Sequence, residues 1–138
     1  MPDPAALAAL HAAAFDTTRA WSAEEIASLL DSRLVFCIAR PEGFILGRAV
    51  ADESELLTLA IDPTARRMGH ARALLRAFED ESRNRGAVRA ILEVAEDNSA
   101  ALALYETSGY HTTARRPGYY HRDDGAQIAA SLMEKALN

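Results

Sequence analysis

A cluster of basic side chains at the start of a predicted helix is the feature of this sequence that points most directly to chemistry. The first turn of a helix already carries partial positive charge, which acidic side chains normally balance. Here no acidic residue occurs between Asp62 and Glu79. We therefore predict that this segment holds an anion supplied from outside the chain. The segment is ARRMGHARALLR, residues 65–76, and its basic members are Arg66, Arg67, His70, Arg72 and Arg76.

The same segment has the local features that phosphate binding requires. A strand-like run, residues 55–61, ends at Asp62 and Pro63, and a tight turn leads directly into the helix. Gly69 allows a ligand to approach the backbone, Ala71 is small, and the free amides of a first helical turn favour phosphate. The pattern predicts a pyrophosphate cradle, with a solvated arginine-rich surface as the alternative. It has neither the P-loop spacing nor the three glycines of a dinucleotide fingerprint.

Composition limits the class of protein. With 138 residues, 49% hydrophobic and 25% charged, the sequence is typical of one globular domain that occupies residues 1–138. The net charge of −5 argues against direct nucleic-acid binding, so the local basic cluster stands out from the rest of the chain. We expect a monomer or a weak dimer.

The cysteine content and the terminus indicate a compartment. A single cysteine, Cys37, excludes an internal disulfide and favours the reducing cytoplasm. No apolar run reaches membrane-spanning length, and the N-terminus lacks the basic start of a signal peptide. The four histidines are too scattered for a metal site. Cys37 lies in an apolar run, where a thiol is usually an inert small hydrophobe.

The order of elements predicts a mixed α/β domain. Ser22 is a predicted helix N-cap with Glu25 as its capping-box partner, Asn98 is a second N-cap, and Gly86 closes the central helix. The strand–helix–strand unit between residues 55 and 94 predicts a parallel crossover. The last segment could also be helical. Helices are predicted at residues 4–15, 23–30, 69–85 and 98–106, and strands at 34–39, 44–51, 55–61, 87–94, 110–115 and 127–134.

Two stretches resemble one enzyme family. The first is LLTLAIDPTARRMGHARALLRAFEDESRNRG, and the second is AILEVAEDNSAALALYETSGY. They resemble the GNAT N-acetyltransferases, whose Arg/Gln-x-x-Gly-x-Gly/Ala pattern is carried by Arg66, Gly69 and Ala71. Within that family the sequence is most similar to the RimI type, the ribosomal-protein-alanine N-acetyltransferases. RRPGYYHRDDGAQ resembles the tail of that group, and the resemblance covers about half of the chain.

The resemblance implies a sheet splayed between its central strands and acetyl-CoA as the acyl donor. Backbone groups of Leu59 and Ile61 would pair with the pantetheine arm. Asn98 and Tyr105 would line its far side. The pyrophosphate would lie on backbone amides between Arg67 and Arg72, and the whole loop is assigned to the cofactor: Arg66, Arg67, Met68, Gly69, His70, Ala71 and Arg72.

The resemblance also implies two catalytic roles. Glu93 would be the general base that deprotonates the amine, acting through a water, and Tyr105 would be the general acid for the departing thiolate. From the residues alone, Glu93 could equally be a solvated strand position, and Tyr105 a core tyrosine. Tyr119 and Tyr120 are predicted to form a loop over the acceptor site. The implied acceptor is the N-terminal alanine of a ribosomal protein. A small amine, a lysine side chain or a non-catalytic acyl-CoA-binding module are the alternatives.

Overall fold

A computed structural model describes residues 3–14, 21–122 and 124–138. None of its helices is both long enough and apolar enough to span a bilayer. The helices are α1 (Pro4–Ala14), α2 (Ala23–Leu30), α3 (His70–Asn84) and α4 (Ser99–Thr107), with a short 3-10 turn at Pro63–Ala65. The strands are β1 (Val35–Arg40), β2 (Gly43–Val50), β3 (Glu53–Ile61), β4 (Arg89–Ala95), β5 (His111–His121) and β6 (Gln127–Ala136).

The six strands form one mixed sheet in the order β1-β2-β3-β4-β6-β5. Only the β3–β4 pair is parallel, and the other neighbouring pairs are antiparallel. Helix α3 makes the connection between the two parallel strands, as the strand–helix–strand pattern predicts. The predicted α/β fold class is confirmed.

Helices cover both faces of the sheet. On one face, Leu74 and Phe78 of α3 and Tyr105 of α4 belong to the larger core cluster. On the other face, Leu7 of α1 and Ile26 of α2 belong to a smaller cluster. Side chains alternate between the two clusters along the central strands, which is why these strands are almost continuously apolar in sequence.

The predicted helix ends follow their capping chemistry. Ser22 and Glu25 form the reciprocal capping box at the start of α2. The side-chain oxygen of Asn98 accepts a hydrogen bond from the Ala101 amide at the start of α4. Gly86 follows α3 with a φ of 93°. Phe15, the predicted end of the first helix, lies outside the described residues.

The C-terminal part of the chain confirms one expectation and corrects another. The last segment is strand β6, as predicted, and not the alternative helix, and it pairs with both β4 and β5. The prediction that Tyr119 and Tyr120 form a loop is wrong, because both lie within β5. That strand continues to His121 because its register shifts between Arg116 and Tyr120, so an irregular segment around Gly118, with a φ of 62°, is absorbed without ending the pairing.

Gly47 of β2 is required by packing. A Cβ at this position would lie 2.6 Å from Phe36 Cζ and 2.6 Å from Phe78 Cε1. The two rings stack at a centroid distance of 5.8 Å, so neither is free to withdraw.

We expect Gly47→Ala to lower the free energy of unfolding by about 1–3 kcal/mol, the usual cost of overpacking a core. Urea unfolding followed by circular dichroism measures this change. Val50→Ala on the same strand is the control, since Val50 is about half exposed and should change stability by less than about 0.5 kcal/mol. Equal stability of Gly47→Ala and the wild type would contradict the packing argument.

Candidate active site

The central strands separate part of the way along the sheet. Strands β3 and β4 pair only at Glu53–Arg89, Ser54–Ala90 and Glu55–Ile91. Beyond these positions no ladder pair joins the two strands, both of which lie within the described residues. Because an unpaired strand edge exposes a row of amides and carbonyls, the gap offers hydrogen-bonding groups to an extended ligand.

A β-bulge in β3 determines which backbone groups of this strand face the gap. Thr58 pairs with Leu46 and Leu56 with Gly47, so Leu57 is an extra residue on β3. As a result, Leu56 and Leu59 pack against the same core cluster although they are three positions apart. The Asp62 amide donates to the Glu42 carbonyl on the β2 side. Backbone polar groups alternate along a strand, so those of Ile61 and Leu59 face the gap.

The start of α3 leaves its amides without a side-chain cap. The helix begins at His70 after Gly69, whose φ is 83°, and no side chain caps it or places an acid in its first turn. Arg67, two residues earlier, has a φ of 65°, which is unusual for a residue with a side chain. Strained, uncapped backbone at the end of β3 is the arrangement that binds anions. It supports the predicted cradle of residues 66–72, whose role stays a prediction.

Most of the basic side chains around this loop hold the protein together. Arg66 Nη2 donates to the Ala14 carbonyl of α1 at 2.8 Å. His70 Nδ1 lies 3.4 Å from Glu42 Oε1. Arg72 donates to the hydroxyls of Ser108 at 3.1 Å and Thr107 at 3.0 Å, at the end of α4. Backbone amides are therefore the main donors that the loop offers to an anion. Met68 is among the exposed apolar residues.

Asn98 and Tyr105 lie on the element that follows β4. The side-chain oxygen Oδ1 of Asn98 accepts a hydrogen bond from the Ala101 amide at 3.1 Å, at the start of α4. The side-chain NH2 group of Asn98 is therefore able to donate to a ligand. Tyr105 is 6% exposed and makes an edge contact with Tyr110 at a centroid distance of 5.8 Å. Burial raises the pKa of Tyr105 well above its usual range, with a further contribution from Tyr120. The phenol therefore remains protonated at neutral pH.

The Tyr105 hydroxyl is available to a ligand. No hydrogen-bond partner for it occurs among the described residues. In that part of the chain, Nη1 of Arg122 is the only fully buried side-chain polar atom that has no hydrogen-bond partner. Because the Tyr105 hydroxyl also has no partner there, it is not fully buried, and it can donate a hydrogen bond.

Glu93 lies on β4 and points to the opposite face of the sheet from the buried Leu92 and Val94. It is not a free carboxylate, because Arg116 Nη2 of β5 lies 3.2 Å from its Oε1. The Arg116 guanidinium also lies over the Tyr119 ring, 5.2 Å from its centroid. Arg116 was not among the residues predicted from the sequence. It lies three residues before Tyr119, and the pairing of β5 with β6 decides where its side chain points.

Tyr120 connects the two candidate catalytic residues. It is half-buried, and its pKa is raised by burial first and then by the charge of Glu93. Tyr120 in turn contributes to the raised pKa of Tyr105. Tyr119 and Tyr120 make an edge contact at 5.1 Å. Electrostatic interactions thus link Tyr120 both to Glu93 and to Tyr105.

Glu53 and Glu55, on the first part of β3, are not free carboxylates. Instead, each pairs with an arginine, Arg89 and Arg48 respectively, at 2.6 Å, so their charges are compensated.

Comparison with known proteins agrees with this geometry. The family model described as the acetyltransferase (GNAT) family matches residues 6–110, about three quarters of the chain. The chain belongs to the GNAT family. It is thus a member of a family of acyltransferases, as the two sequence stretches and the splayed sheet predict.

Individual proteins are also similar to this chain. The chain is 35% identical over 86 residues to the ribosomal protein bS18-alanine N-acetyltransferase of Escherichia coli K12. That match covers 62% of this chain and 58% of the relative, so it spans less than two thirds of the relative's length.

Solved structures agree over nearly the whole chain. The ribosomal-protein-S18-alanine N-acetyltransferase from Escherichia coli superimposes with a TM-score of 0.86 at 31% identity, covering 98% of this chain and 87% of that one. NAA60 from Arabidopsis thaliana in complex with acetyl-CoA shares the fold, with a TM-score of 0.82 at 19% identity and 97% and 93% coverage. The resemblance to the RimI type is confirmed.

A charge placed in the uncapped turn tests the predicted cradle. We expect Ala71→Glu to raise the Kd for coenzyme A at least about tenfold, because a carboxylate at the helix start competes with and repels a phosphate. Isothermal titration calorimetry with coenzyme A measures this. Ala71→Gln is the control, since it adds the same bulk without charge. Equal weakening by both substitutions would show that bulk, and not charge, is responsible.

Cys37 supplies a test of the expectation that its thiol is inert. Burial raises the pKa of its thiol to about 11, so the thiol stays protonated and the reactive thiolate is scarce at pH 8. We expect alkylation by iodoacetamide at pH 8 to be about a hundredfold slower than for the urea-unfolded chain. Mass spectrometry of timed samples measures the rate. Alkylation of the folded chain at the rate of the unfolded one would contradict an inert Cys37.

Proposed function

We propose that this protein transfers the acetyl group of acetyl-CoA to the N-terminal α-amino group of a ribosomal protein that begins with alanine. The observation that carries the proposal is the gap between β3 and β4. Its edge carries the open backbone of Leu59 and Ile61, the uncapped start of α3 lies at the end of β3, and Glu93 lies on β4. The names of the Escherichia coli relatives support the choice of acceptor.

The acyl donor would be held by backbone groups. Leu59 and Ile61 would pair with the amide-containing arm, as another strand would. Amides between Arg67 and Arg72 would bind the pyrophosphate at the start of α3. The Asn98 amide group would donate to the arm from α4. A shared fold with a protein solved with acetyl-CoA supports this assignment.

Proton transfer is the chemistry that the side chains would supply. When bound, acetyl-CoA would supply a thioester carbonyl for the amine to attack. An α-amino group has a pKa of about 8, so about a tenth of it is neutral at pH 7 and a modest base is sufficient. Glu93 would accept the proton from the attacking nitrogen through a water. Tyr105 would donate a hydrogen bond to the leaving sulfur, a role that suits a phenol held protonated by burial.

Tyr119 and Tyr120 would contact the acceptor peptide beside Glu93. Tyr119 is among the exposed large hydrophobic side chains and Tyr120 is half-buried, so the pair presents an aromatic surface at the end of β5. We place all of these steps in one domain, residues 1–138, in the cytoplasm.

Transfer to defined peptides tests the proposal. The purified protein is mixed with acetyl-CoA and a short basic peptide with a free N-terminal alanine, and product mass and released thiol are followed. A second peptide has a blocked N-terminus and an internal lysine. We expect acetylation of the free alanine, reduced roughly hundredfold in Glu93→Gln, the usual contribution of a general base, and reduced to a smaller extent in Tyr105→Phe.

Glu96→Gln is the matched control for Glu93. Glu96 follows the same strand and pairs with Arg115 at 2.6 Å, next to the arginine that pairs with Glu93. It should keep wild-type activity. Transfer to lysine or to a small amine instead would overturn the proposed acceptor. Tight binding of acetyl-CoA without transfer to any amine would indicate a non-catalytic module.

A further inference from the structure

A buried polar cluster lies behind the proposed acid. The Tyr110 side chain is buried, and its hydroxyl donates to Glu79 Oε2 of α3 at 2.9 Å. Glu79 is 5% exposed, and Lys135 Nζ of β6 donates to its other oxygen at 3.0 Å. The same ammonium group lies 5.7 Å from the centroid of the Tyr110 ring. A buried carboxylate is costly unless its oxygens are paired. Both are paired here, so the Tyr110 ring is anchored at its hydroxyl.

Tyr110 is joined to Tyr105 through both backbone and ring. Its amide donates to the Tyr105 carbonyl at 2.9 Å, across the turn that ends α4. Its ring lies edge-on to the Tyr105 ring, with an interplanar angle of 64°, an arrangement that aromatic pairs favour. Among the residues that the structure describes, no hydrogen bond fixes the Tyr105 hydroxyl. Contacts of the ring therefore set the direction of the phenol.

The same contacts connect the end of α4 to α3. Glu79 belongs to α3, and Tyr110 follows α4. A second connection lies in the first turn of α3, where Arg72 donates to the hydroxyls of Thr107 and Ser108. The start of α3 also carries the proposed pyrophosphate cradle. The place of the last turn of α4 relative to that cradle is thus fixed by contacts between the two helices.

We propose that Tyr110, anchored by Glu79, is a positioning residue that directs the Tyr105 phenol towards the leaving sulfur. This inference rests on the proposed function, because it needs Tyr105 to donate a hydrogen bond to that sulfur. Without the Tyr110 hydroxyl, a ring of the same shape remains, but it is no longer anchored to α3. The Tyr105 ring then has more freedom to leave the productive geometry, which weakens a hydrogen bond needed in the transition state.

Four variants separate positioning from stability. Tyr110→Phe removes the anchor and keeps the ring. Lys135→Met is the matched control, because it removes the other hydrogen bond to Glu79 and keeps the one from Tyr110. Tyr105→Phe and the double variant Tyr105→Phe/Tyr110→Phe show whether Tyr110 acts through Tyr105. Urea unfolding of each variant measures the loss of stability.

The test measures kcat and the KM for acetyl-CoA with the free-alanine peptide. We expect Tyr110→Phe to lower kcat about fivefold, less than the roughly hundredfold that a displacement of about 1 Å can cost, and by no more than Tyr105→Phe does. The KM for acetyl-CoA should stay within about twofold, since only an interaction of the transition state is weakened. Lys135→Met should keep kcat within about twofold of the wild type even where it lowers stability.

The double variant gives the decisive comparison. Residues that act as a unit have non-additive effects. We therefore expect Tyr105→Phe/Tyr110→Phe to have the same kcat as Tyr105→Phe alone. A further fivefold fall in the double variant would show that Tyr110 acts independently of Tyr105, and it would overturn the inference.

The remaining outcomes separate the inference from the function on which it rests. If the wild type acetylates the free alanine and Tyr105→Phe is slower, but Tyr110→Phe keeps wild-type kcat, Tyr110 does not position the acid although the proposed function stands. An equal fall of kcat in Lys135→Met would assign the effect to the stability of the buried cluster and would also overturn the inference. If Tyr105→Phe keeps wild-type kcat, or if the wild type acetylates neither peptide, the proposed acid or the proposed function is wrong, and the inference fails with it.

Discussion

The early end of the parallel pairing between β3 and β4 is the constraint on which the rest of this structure depends. Three register positions join the strands at the start, and beyond them each strand continues with one open edge. A sheet interior without a partner strand leaves unsatisfied backbone groups, which is costly unless a ligand or water pairs with them. Because β2 and β6 hold the outer sides of the two strands over their whole length, the gap is kept open by a rigid frame.

The two faces of the sheet contribute different parts to this gap. The face covered by α3 and α4 supplies the uncapped helix start and the protonated phenol of Tyr105. The opposite face supplies the Glu93 carboxylate, with Arg116 and Tyr120 brought alongside by β5. Donor and acceptor can therefore approach the gap from opposite sides, and the side chains proposed for proton transfer do not compete with the backbone groups proposed for binding.

The predictable parts of the structure were those set by neighbours in sequence. The capping box at Ser22, the cap at Asn98 and the strand–helix–strand order follow from local chemistry, and each is present. The lack of acids around the start of α3 identified a candidate anion site because charge balance at a helix terminus is also local. The resemblance to a family supplied Glu93 and Tyr105 as candidates for proton transfer, a role that stays a prediction, since composition alone could not separate them from ordinary strand and core positions.

The parts that could not be predicted are those set by pairing between distant strands. Nothing near Leu57 in sequence marks it as a bulge, since the extra residue is defined only against β2. Tyr119 and Tyr120 follow a proline and a glycine, which locally favour a turn, yet pairing with β6 keeps them in a strand. Arg116 pairs with Glu93 across two strand boundaries. Sequence spacing carries no information about such a contact.

The bulge at Leu57 has a consequence for how this protein can change during evolution. Its role depends on the number of residues in β3 and hardly on their identity, because one extra residue reverses which backbone groups face the gap. Substitutions along β3 can accumulate while they remain apolar, and the open edge keeps its alignment. Without the bulge, a regular ladder of this same sequence with β2 would place Leu59 opposite Phe44 and turn the Leu59 and Ile61 amides away from the gap. The alignment of the open edge therefore depends on the number of residues in β3 more than on their types.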